Sequence, residues 1–182
     1  MEYRTDHLIL RDFVEEDWEA VLAYQSIPEY LRFYEWTERT PEDVRAFVRM
    51  FIAQQQETPR RKFQLAIVLP ESGQLIGNCG VRVRDPILRA ADIGYELNPR
   101  YWGRGYATEA ARAMLAFGFD HLGMHRIAAN CVADNLASAR VLEKIGMQRE
   151  GRFREHEWYK ERWWDTLFYP ILASEWHGSE PS

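Results

Sequence analysis

Short stretches in which apolar side chains recur at every second position predict β-strands along the chain. In the first of them, residues 7–13, Leu8 and Leu10 fall on one face and Ile9 and Arg11 on the other. Six further strands are predicted, at residues 63–69, 75–84, 92–98, 126–133, 147–154 and 164–173. A turn at residues 70–74 joins the second and third of the seven into a hairpin.

Helical spacing predicts four helices between these strands. The clearest begins at Thr40, which can cap it, with Pro41 at the first helical position. Its apolar residues recur at the i, i+3, i+4 spacing of a single face: Val44, Phe47, Val48, Phe51 and Ile52. The other helices are predicted at residues 14–24, 105–122 and 135–145, the first with a capping box made by Asp12 and Glu15. Gly123 and Gly146 suit the ends of the last two.

The bulk composition fits one ordinary globular domain. The chain has 182 residues, of which 46% are hydrophobic and 28% charged, and it shows no internal repeat. We therefore predict one domain over residues 7–176 and a loose tail over 177–182. The net charge of −5 argues against nucleic acid as the main partner, because phosphates require a basic surface. No stretch has the length of a membrane span, and the start lacks the features of a secretory signal, so we predict a cytoplasmic protein.

Cysteine and histidine residues suggest no redox or metal chemistry. Cys79 and Cys131 both lie in predicted strands, so we expect buried free thiols. The five histidines lack the spacing of metal ligands, and we predict no structural metal.

The segment with most chemical information is residues 93–111, IGYELNPRYWGRGYATEAA. A strand ends before Pro99, a loop containing Gly103 and Gly105 follows, and a helix begins directly afterwards. The first amides of a helix lack intrahelical partners and lie at the positive end of its dipole, so this arrangement can bind a pyrophosphate. A P-loop is excluded because Tyr106 follows Gly105, and a dinucleotide fingerprint because Thr108 replaces its third glycine and no acid follows at the required distance.

These residues resemble the GNAT acetyltransferase superfamily, whose coenzyme A motif, Gln/Arg-x-x-Gly-x-Gly/Ala, is matched by residues 100–105. The wider pattern is similar to the ribosomal-protein-alanine N-acetyltransferase branch (the Rim-like branch). It includes LxLR at residues 8–11, IGYxL at 93–97, YWGxGYATEA at 101–110, NxxS at 135–138 and KxGM at 144–147. The resemblance covers roughly residues 7–176.

The resemblance implies an α+β fold: a mostly antiparallel, twisted central sheet with splayed middle strands and helices on both faces. It implies acetyl-CoA as the acetyl donor, with the pantetheine arm in the gap between the strands that end near Asn98 and begin near Arg126. The amides of residues 103–108 would hold the pyrophosphate, and an amide near Leu97 or Asn98 would stabilise the oxyanion. The residues expected to contact the cofactor are Leu97, Arg100, Trp102, Gly103, Arg104, Gly105, Tyr106, Ala107, Thr108, Asn135, Ser138 and Lys144.

Three residues are candidates for proton transfer. By resemblance, Ser138 gives a hydrogen bond or a proton to the leaving thiolate, and Asn135 contacts the pantetheine. The structural alternative is that Asn135 caps a helix and Ser138 is a surface hydroxyl. An amine must lose a proton before it attacks, and a carboxylate is the usual base. Glu96 lies beside the expected thioester, and Glu157 follows Ser138 by 19 residues, as in the ribosomal branch; of the two, Glu157 is preferred.

The predicted reaction is direct transfer of acetyl to a primary amine, without a covalent enzyme intermediate. A protein N-terminus is the leading acceptor, by branch resemblance. The alternatives are a small amine (a polyamine, an aminoglycoside or an amino-acid-like compound), a non-catalytic acyl-CoA sensor, and an interaction module that binds no ligand. The aromatic residues of the 24–36 segment could line the acceptor groove or pack between helices. The tryptophans at 158, 163 and 164 could border that groove or a homodimer contact.

Overall fold

A computed structural model describes residues 1–178 of the chain as eight strands and five α-helices. The strands are β1 (Glu2–Arg4), β2 (Ile9–Arg11), β3 (Lys62–Val68), β4 (Leu75–Asp85), β5 (Ala90–Leu97), β6 (Arg126–Val132), β7 (Gly151–Tyr159) and β8 (Arg162–Leu172). The helices are α1 (Trp18–Gln25), α2 (Pro28–Leu31), α3 (Pro41–Gln55), α4 (Tyr106–Ala116) and α5 (Leu136–Lys144).

The strands form one sheet in the order β1-β2-β3-β4-β5-β6-β8-β7. Every neighbouring pair is antiparallel except β5 and β6, which are parallel, so the prediction of a mostly antiparallel sheet is confirmed. The parallel pairing covers only the first three residues of β5, from Ala90 opposite Arg126 to Asp92 opposite Ala128. Residues 93–97 therefore leave β6, and a gap opens between the middle strands.

The sheet is covered on both faces, which is the predicted layer arrangement. On one face, buried Ala66, Val68 and Leu75 pack with apolar residues of α1, α2 and α3, including Val21 and Val44. On the other face, a larger cluster joins alternate residues of β3 to β6 and β8 to the small and apolar residues of α4 and α5. The two faces thus receive successive residues of each central strand.

Helix α3 begins as predicted. The Thr40 hydroxyl accepts a hydrogen bond from the amide of Asp43 at 3.2 Å, and the Asp43 carboxylate accepts one from the amide of Thr40 at 3.0 Å. Gly123 and Gly146, predicted as helix stops, both have positive φ, +64° and +90°. Helix α4 does not run unbroken to residue 122, because its last turn, Phe117–His121, is π-helical.

The capping box predicted at the first helix is wrong. The Asp12 carboxylate is bound by Arg60 at 2.6 Å and by the terminal amine at 2.5 Å, so it is not available to a helix. Asp17 instead accepts from the amide of Val14 at 2.9 Å and pairs with Arg11 at 2.7 Å. A 3-10 turn, Glu15–Asp17, comes first, and α1 starts at Trp18.

Other differences concern the boundaries of elements. Strand β1 and helix α2 were not predicted, and β7 begins at Gly151 rather than at residue 147. Cys79 and Cys131 are buried free thiols, as predicted. Within residues 1–178 no helix is long and apolar enough to cross a membrane, and no cluster of metal-ligating side chains occurs. Most of the predicted tail, residues 179–182, lies outside the described residues.

Candidate active site

The loop between β5 and α4 offers a series of unpaired backbone amides. Asn98 accepts from the amide of Arg100, and the amide of Trp102 donates to Pro99 at 3.2 Å, so the loop begins with a tight 3-10 turn. In the part of the chain that the structure describes, the amides of residues 103–108 donate to no backbone carbonyl. The last three of them, 106–108, form the first turn of α4, where the helix dipole is positive.

Both loop glycines have the backbone conformation that only glycine adopts without strain. Gly103 has a φ of +74° and Gly105, the residue that caps α4, a φ of +86°. A methyl group added at either position would meet no atom within 4 Å, so the space beside the loop is open. Glu109, the acid in the first turn of α4, is held by Thr5 and His7 at 2.6 and 2.8 Å. Open space, free amides and no competing carboxylate fit a diphosphate group.

The end of β5 leaves one amide directed into the gap. The amide of Asn98 donates to Ile76 of β4 at 2.8 Å and is therefore not available to a ligand. Successive peptide groups of a strand point to opposite edges, so the amide and carbonyl of Leu97 point towards β6. The Leu97 carbonyl accepts from the indole of Trp102 at 2.9 Å, which ties the loop to this strand. Of the two amides considered from the sequence, only that of Leu97 remains.

On the α5 side of the gap, Ser138 lies beside a tyrosine of β5. Asn135 caps α5, because its side-chain oxygen accepts from the Ser138 amide at 3.1 Å. For this oxygen, helix capping, the alternative to cofactor contact, therefore holds. The Tyr95 hydroxyl lies 2.9 Å from Ser138 Oγ and donates to the Ser138 carbonyl at 3.1 Å. Burial raises the pKa of Tyr95 above its usual value, so its hydroxyl stays protonated. Burial also raises the pKa of Cys131 to about 11.

The remaining residues expected to contact the cofactor belong to the loop, to the first turn of α4 and to the end of α5. Arg104 is exposed and its guanidinium lies 5.3 Å from the ring centre of Tyr101. Arg100 and Lys144 are exposed, while Tyr106, Ala107 and Thr108 are partly buried in the first turn of α4. The ring of Trp102 is half exposed, although its amide and indole N–H are both in use.

On the other face of the sheet, Glu96 is the centre of a dense hydrogen-bond cluster. One carboxylate oxygen accepts from Tyr24 at 2.6 Å, Gln25 at 3.0 Å and Asn78 at 2.5 Å. The other oxygen accepts from Tyr30 at 2.5 Å and from Tyr34 at 3.3 Å. The bond from Tyr34 is the longest of the five and close to the limit of a hydrogen bond.

The three tyrosines in this cluster remain neutral. Burial, followed by the negative charge of Glu96, raises the pKa values of Tyr24, Tyr30 and Tyr34 well above the ordinary tyrosine value. Each hydroxyl therefore donates to Glu96 and keeps lone pairs that can accept a further hydrogen bond. The rings also stack, with centroids of Tyr30 and Tyr34 4.7 Å apart, so the segment between α1 and α3 is built around this carboxylate.

Beside Glu96 there is a cavity of about 390 Å³ between α3 and the sheet. Side chains of α3 form one wall and residues of β3, β4 and β5 the other. Tyr34 and Glu96 line one part of it, and three cationic side chains line another: Lys62, Arg82 and Arg84. Residues 94–96 of β5 line the cavity, and they belong to the part of the strand that no longer pairs with β6.

Glu157 is not part of this cluster. It is exposed on β7, paired with Trp164 in the ladder, and within residues 1–178 its carboxylate forms no hydrogen bond or ion pair. Burial and the charge of Glu157 raise the pKa of Tyr159 to about 12, and the Tyr159 hydroxyl donates to the carbonyl of Phe33 at 3.1 Å. Glu157 therefore lies near the outer side of the 24–36 segment, and Glu96 on its inner side.

The tryptophans of β7 and β8 divide into two groups. Trp164 is buried, stacks on Tyr159 with ring centres 5.0 Å apart and meets Phe33 edge to face. Trp158 and Trp163 are more than half exposed and pack on each other at 5.2 Å.

Sequence reasoning missed the contact of Tyr95 with Ser138 and the contacts of Tyr34 and Asn78 with Glu96. Tyr95 belongs to the IGYEL stretch, and its position one residue before Glu96 places the two side chains on opposite faces of β5. That alternation could have indicated a residue directed towards Ser138. Nothing in the sequence connects Asn78 or Tyr34 with Glu96, because 18 and 62 residues separate them.

The chain matches the model of the acetyltransferase (GNAT) domain over residues 7–148. It is 36% identical to the "uncharacterized N-acetyltransferase YnaD" of Bacillus subtilis, over 97% of this chain and all of that protein. A GNAT-family acetyltransferase from Bacillus anthracis has a similar crystal structure, with a TM-score of 0.83, 34% identity and coverage of 96% of this chain and 100% of that one.

A ribosomal L7/L12 α-N-protein acetyltransferase, RimL, solved with coenzyme A, shares the fold at a TM-score of 0.82 and 21% identity, over 94% of this chain and 98% of its own. At that identity the likeness concerns the fold alone. The family match over most of the chain, together with the loop of free amides at the gap between β5 and β6, leads to one conclusion: the protein belongs to the GNAT family of N-acetyltransferases, enzymes that use acetyl-CoA as the acetyl donor.

Proposed function

We propose that this enzyme transfers acetyl directly to a primary amine that enters from the cavity beside Glu96. The observation that carries the proposal is the position of β5, which borders the cofactor gap and the cavity at the same residues. When bound, acetyl-CoA supplies the acetyl group as a thioester. The amides of residues 103–108 would hold its diphosphate, and the Leu97 amide would donate to the thioester oxygen.

A protein N-terminus is the leading acceptor, supported by the similarity of the motifs to the ribosomal-protein-alanine branch. A small amine remains the alternative, because a cavity of about 390 Å³ accommodates a small molecule or the first residues of a peptide. The non-catalytic sensor is the less favoured candidate, since Glu96 and Ser138 lie on the two sides of the gap where proton transfers would be needed. A cytoplasmic location and a homodimer stay predictions.

We infer that Glu96, rather than Glu157, takes the proton from the amine. Glu96 lines the cavity, whereas Glu157 is exposed on an outer strand. Tyr34 also lines the cavity, and its hydroxyl donates the longest of the five bonds to Glu96, so we infer that it accepts from the amine and passes a proton inwards. On the opposite face, Ser138, oriented by Tyr95, would donate to the departing sulfur.

The test is a comparison of Glu96→Gln with Glu157→Gln. Each variant is assayed by release of free thiol from acetyl-CoA with a panel of primary amines: an alanine-initiated tetrapeptide, spermidine and glutamate. Coenzyme A affinity is measured by calorimetry in parallel. Loss of a general base lowers kcat roughly 100- to 10,000-fold, and we expect this for Glu96→Gln with unchanged coenzyme A affinity.

Tyr34→Phe provides a second test of proton transfer to Glu96, because this variant keeps the carboxylate. Removing the Tyr34 hydroxyl should lower kcat while the thermal midpoint changes little, because its bond to Glu96, at 3.3 Å, is the longest of the five. If Glu157→Gln loses activity and Glu96→Gln keeps it, the base is Glu157. If the wild type binds coenzyme A and acetylates no amine, the protein is a sensor. Mass spectrometry of the acetylated product identifies the acceptor.

A further inference from the structure

The cavity beside Glu96 carries charge of both signs at separate places. Arg82 and Arg84 both contact the same carboxylate, that of Asp92, with the Arg82 pair 2.5 Å apart. Lys62 lines the same part of the cavity and, within residues 1–178, forms no ion pair. Three cations are thus opposed there by one acid, while Glu96 provides a negative charge at the other end.

Arg82 is held in place before any ligand binds. Its Nε and Nη2 atoms contact Asp92 at 2.7 and 2.5 Å, and its Nη1 donates to Gln64 at 3.2 Å. The guanidinium lies over Gly94, where an added methyl group would come within 2.8 Å of Nη2. The guanidinium can occupy this position in the cavity because residue 94 is a glycine. Three of its five N–H groups are in use, so two remain to bind a ligand.

A continuous line of hydrogen bonds connects the two ends. Glu96 accepts from Asn78, Asn78 accepts from Gln64 at 2.6 Å, and Gln64 accepts from Arg82. Both amide residues are almost fully buried, so the line is fixed. Glu96 and Gly94 are two residues apart on β5, which corresponds to about 7 Å along the strand. One small molecule can therefore span the distance between the Arg82 guanidinium and the Glu96 carboxylate.

We propose that the acceptor amine carries an anionic group on the same molecule, which Arg82 and its neighbouring cations bind while the amine lies beside Tyr34 and Glu96. This inference rests on the proposed function and specifies its substrate class. Two kinds of molecule carry both an amine and an anionic group: a free amino acid, and a peptide with an acidic residue at its N-terminus. The same cations disfavour polyamines, because like charges in a confined site repel.

The experiment compares acceptors that differ only in charge. Glutamate is paired with glutamine α-amide, which lacks both carboxylates, and a C-terminally amidated Asp-initiated tetrapeptide is paired with its Asn-initiated counterpart; spermidine is the cationic probe. Thiol release gives kcat/KM for each. For the wild type we expect the anionic member of at least one pair to be better by about ten-fold or more, and that pair identifies the source.

Three variants assign the preference to the cavity. Arg82→Gln and Lys62→Gln should reduce the ratio within the preferred pair to less than about three-fold, mainly through KM, while coenzyme A affinity stays unchanged. Because Lys62 makes no ion pair with any of the residues that the structure describes, its replacement should not affect folding. Arg149→Gln removes an exposed cation that does not line the cavity and should leave the ratio as in the wild type.

The outcomes separate this inference from the proposed function. Equal use of both members of each pair, a preference for spermidine, or the same change with Arg149→Gln would overturn the inference and leave the transferase intact. Absence of acetylation with every amine would overturn the proposed function and the inference with it.

Discussion

Replacement of Gly105 by alanine tests the assignment of the cofactor loop. The residue has a φ of +86°, and a residue with a Cβ in the left-handed region costs about 1–2 kcal/mol. The added methyl group meets no protein atom within 4 Å, so no steric term is added. With about 2–4 °C lost per kcal/mol for a domain of this size, the thermal midpoint should fall by roughly 2–8 °C.

The variant should lose more affinity for coenzyme A than the backbone strain alone would explain. The methyl group would occupy the open side of the loop, where the diphosphate is expected, and would disturb at least one amide donor. A hydrogen bond to a charged group contributes about 1.5–3 kcal/mol, so the Kd for coenzyme A should rise roughly 10- to 100-fold. Calorimetric titration with coenzyme A measures this directly, without knowledge of the acceptor.

Gly73→Ala is the matched control. Gly73 has a φ of +68° and equally open surroundings, but it lies in the turn between β3 and β4. Its replacement should cost about the same stability and leave coenzyme A affinity unchanged. If the two variants bind coenzyme A equally well, or lose equal affinity, the loop amides do not form the diphosphate site.

Two further predictions concern stability. Tyr24→Phe removes a buried donor to Glu96 and should lower the free energy of unfolding by about 1.5–3 kcal/mol in urea titrations; a loss below 0.5 kcal/mol would contradict the account of the cluster. Burial disfavours the charge of Asp12, but hydrogen bonds and charges from Arg60 and the terminal amine outweigh it and lower its pKa. A lowered folded-state pKa gives stability that is complete above the unfolded-state pKa and is lost as pH falls through the folded-state pKa. Asp12→Asn should therefore flatten the decline in stability below about pH 4, and an unchanged decline would contradict this account.

Local sequence signals predicted the features that depend on neighbouring residues. The start of α3 follows from contacts between Thr40 and Asp43, three residues apart, and the stops at Gly123 and Gly146 from single-residue backbone preferences. The amide-rich loop was predictable for the same reason. The first amides of a helix have no intrahelical acceptor, and the glycines before α4 indicate where that helix starts.

Features that depend on distant partners were not predictable. Asp12 has the spacing of a capping box with Glu15, but Arg60, 48 residues away, binds its carboxylate. Likewise, the preference for Glu157 over Glu96 rested on the resemblance and not on the surroundings of either acid. The donors to Glu96 come from α1, α2, the loop after α2 and β4, and the exposure of Glu157 depends on the place of β7 at the edge of the sheet.

The chemistry assigned to three consecutive residues of β5 follows from the geometry of one strand. Side chains alternate between faces, so Tyr95 reaches Ser138 on the α5 side and Glu96 reaches the tyrosines on the other. The next amide, that of Leu97, lies in the plane of the sheet, and it is directed into the gap because β6 no longer pairs there. In the proposed mechanism Ser138, oriented by Tyr95, would donate to the leaving sulfur, Glu96 would take the proton of the amine and the Leu97 amide would donate to the carbonyl oxygen, all without any special backbone conformation. The requirement is that the parallel pairing stops at Asp92, because continued pairing would use the Leu97 amide in the ladder and close the space between thioester and amine.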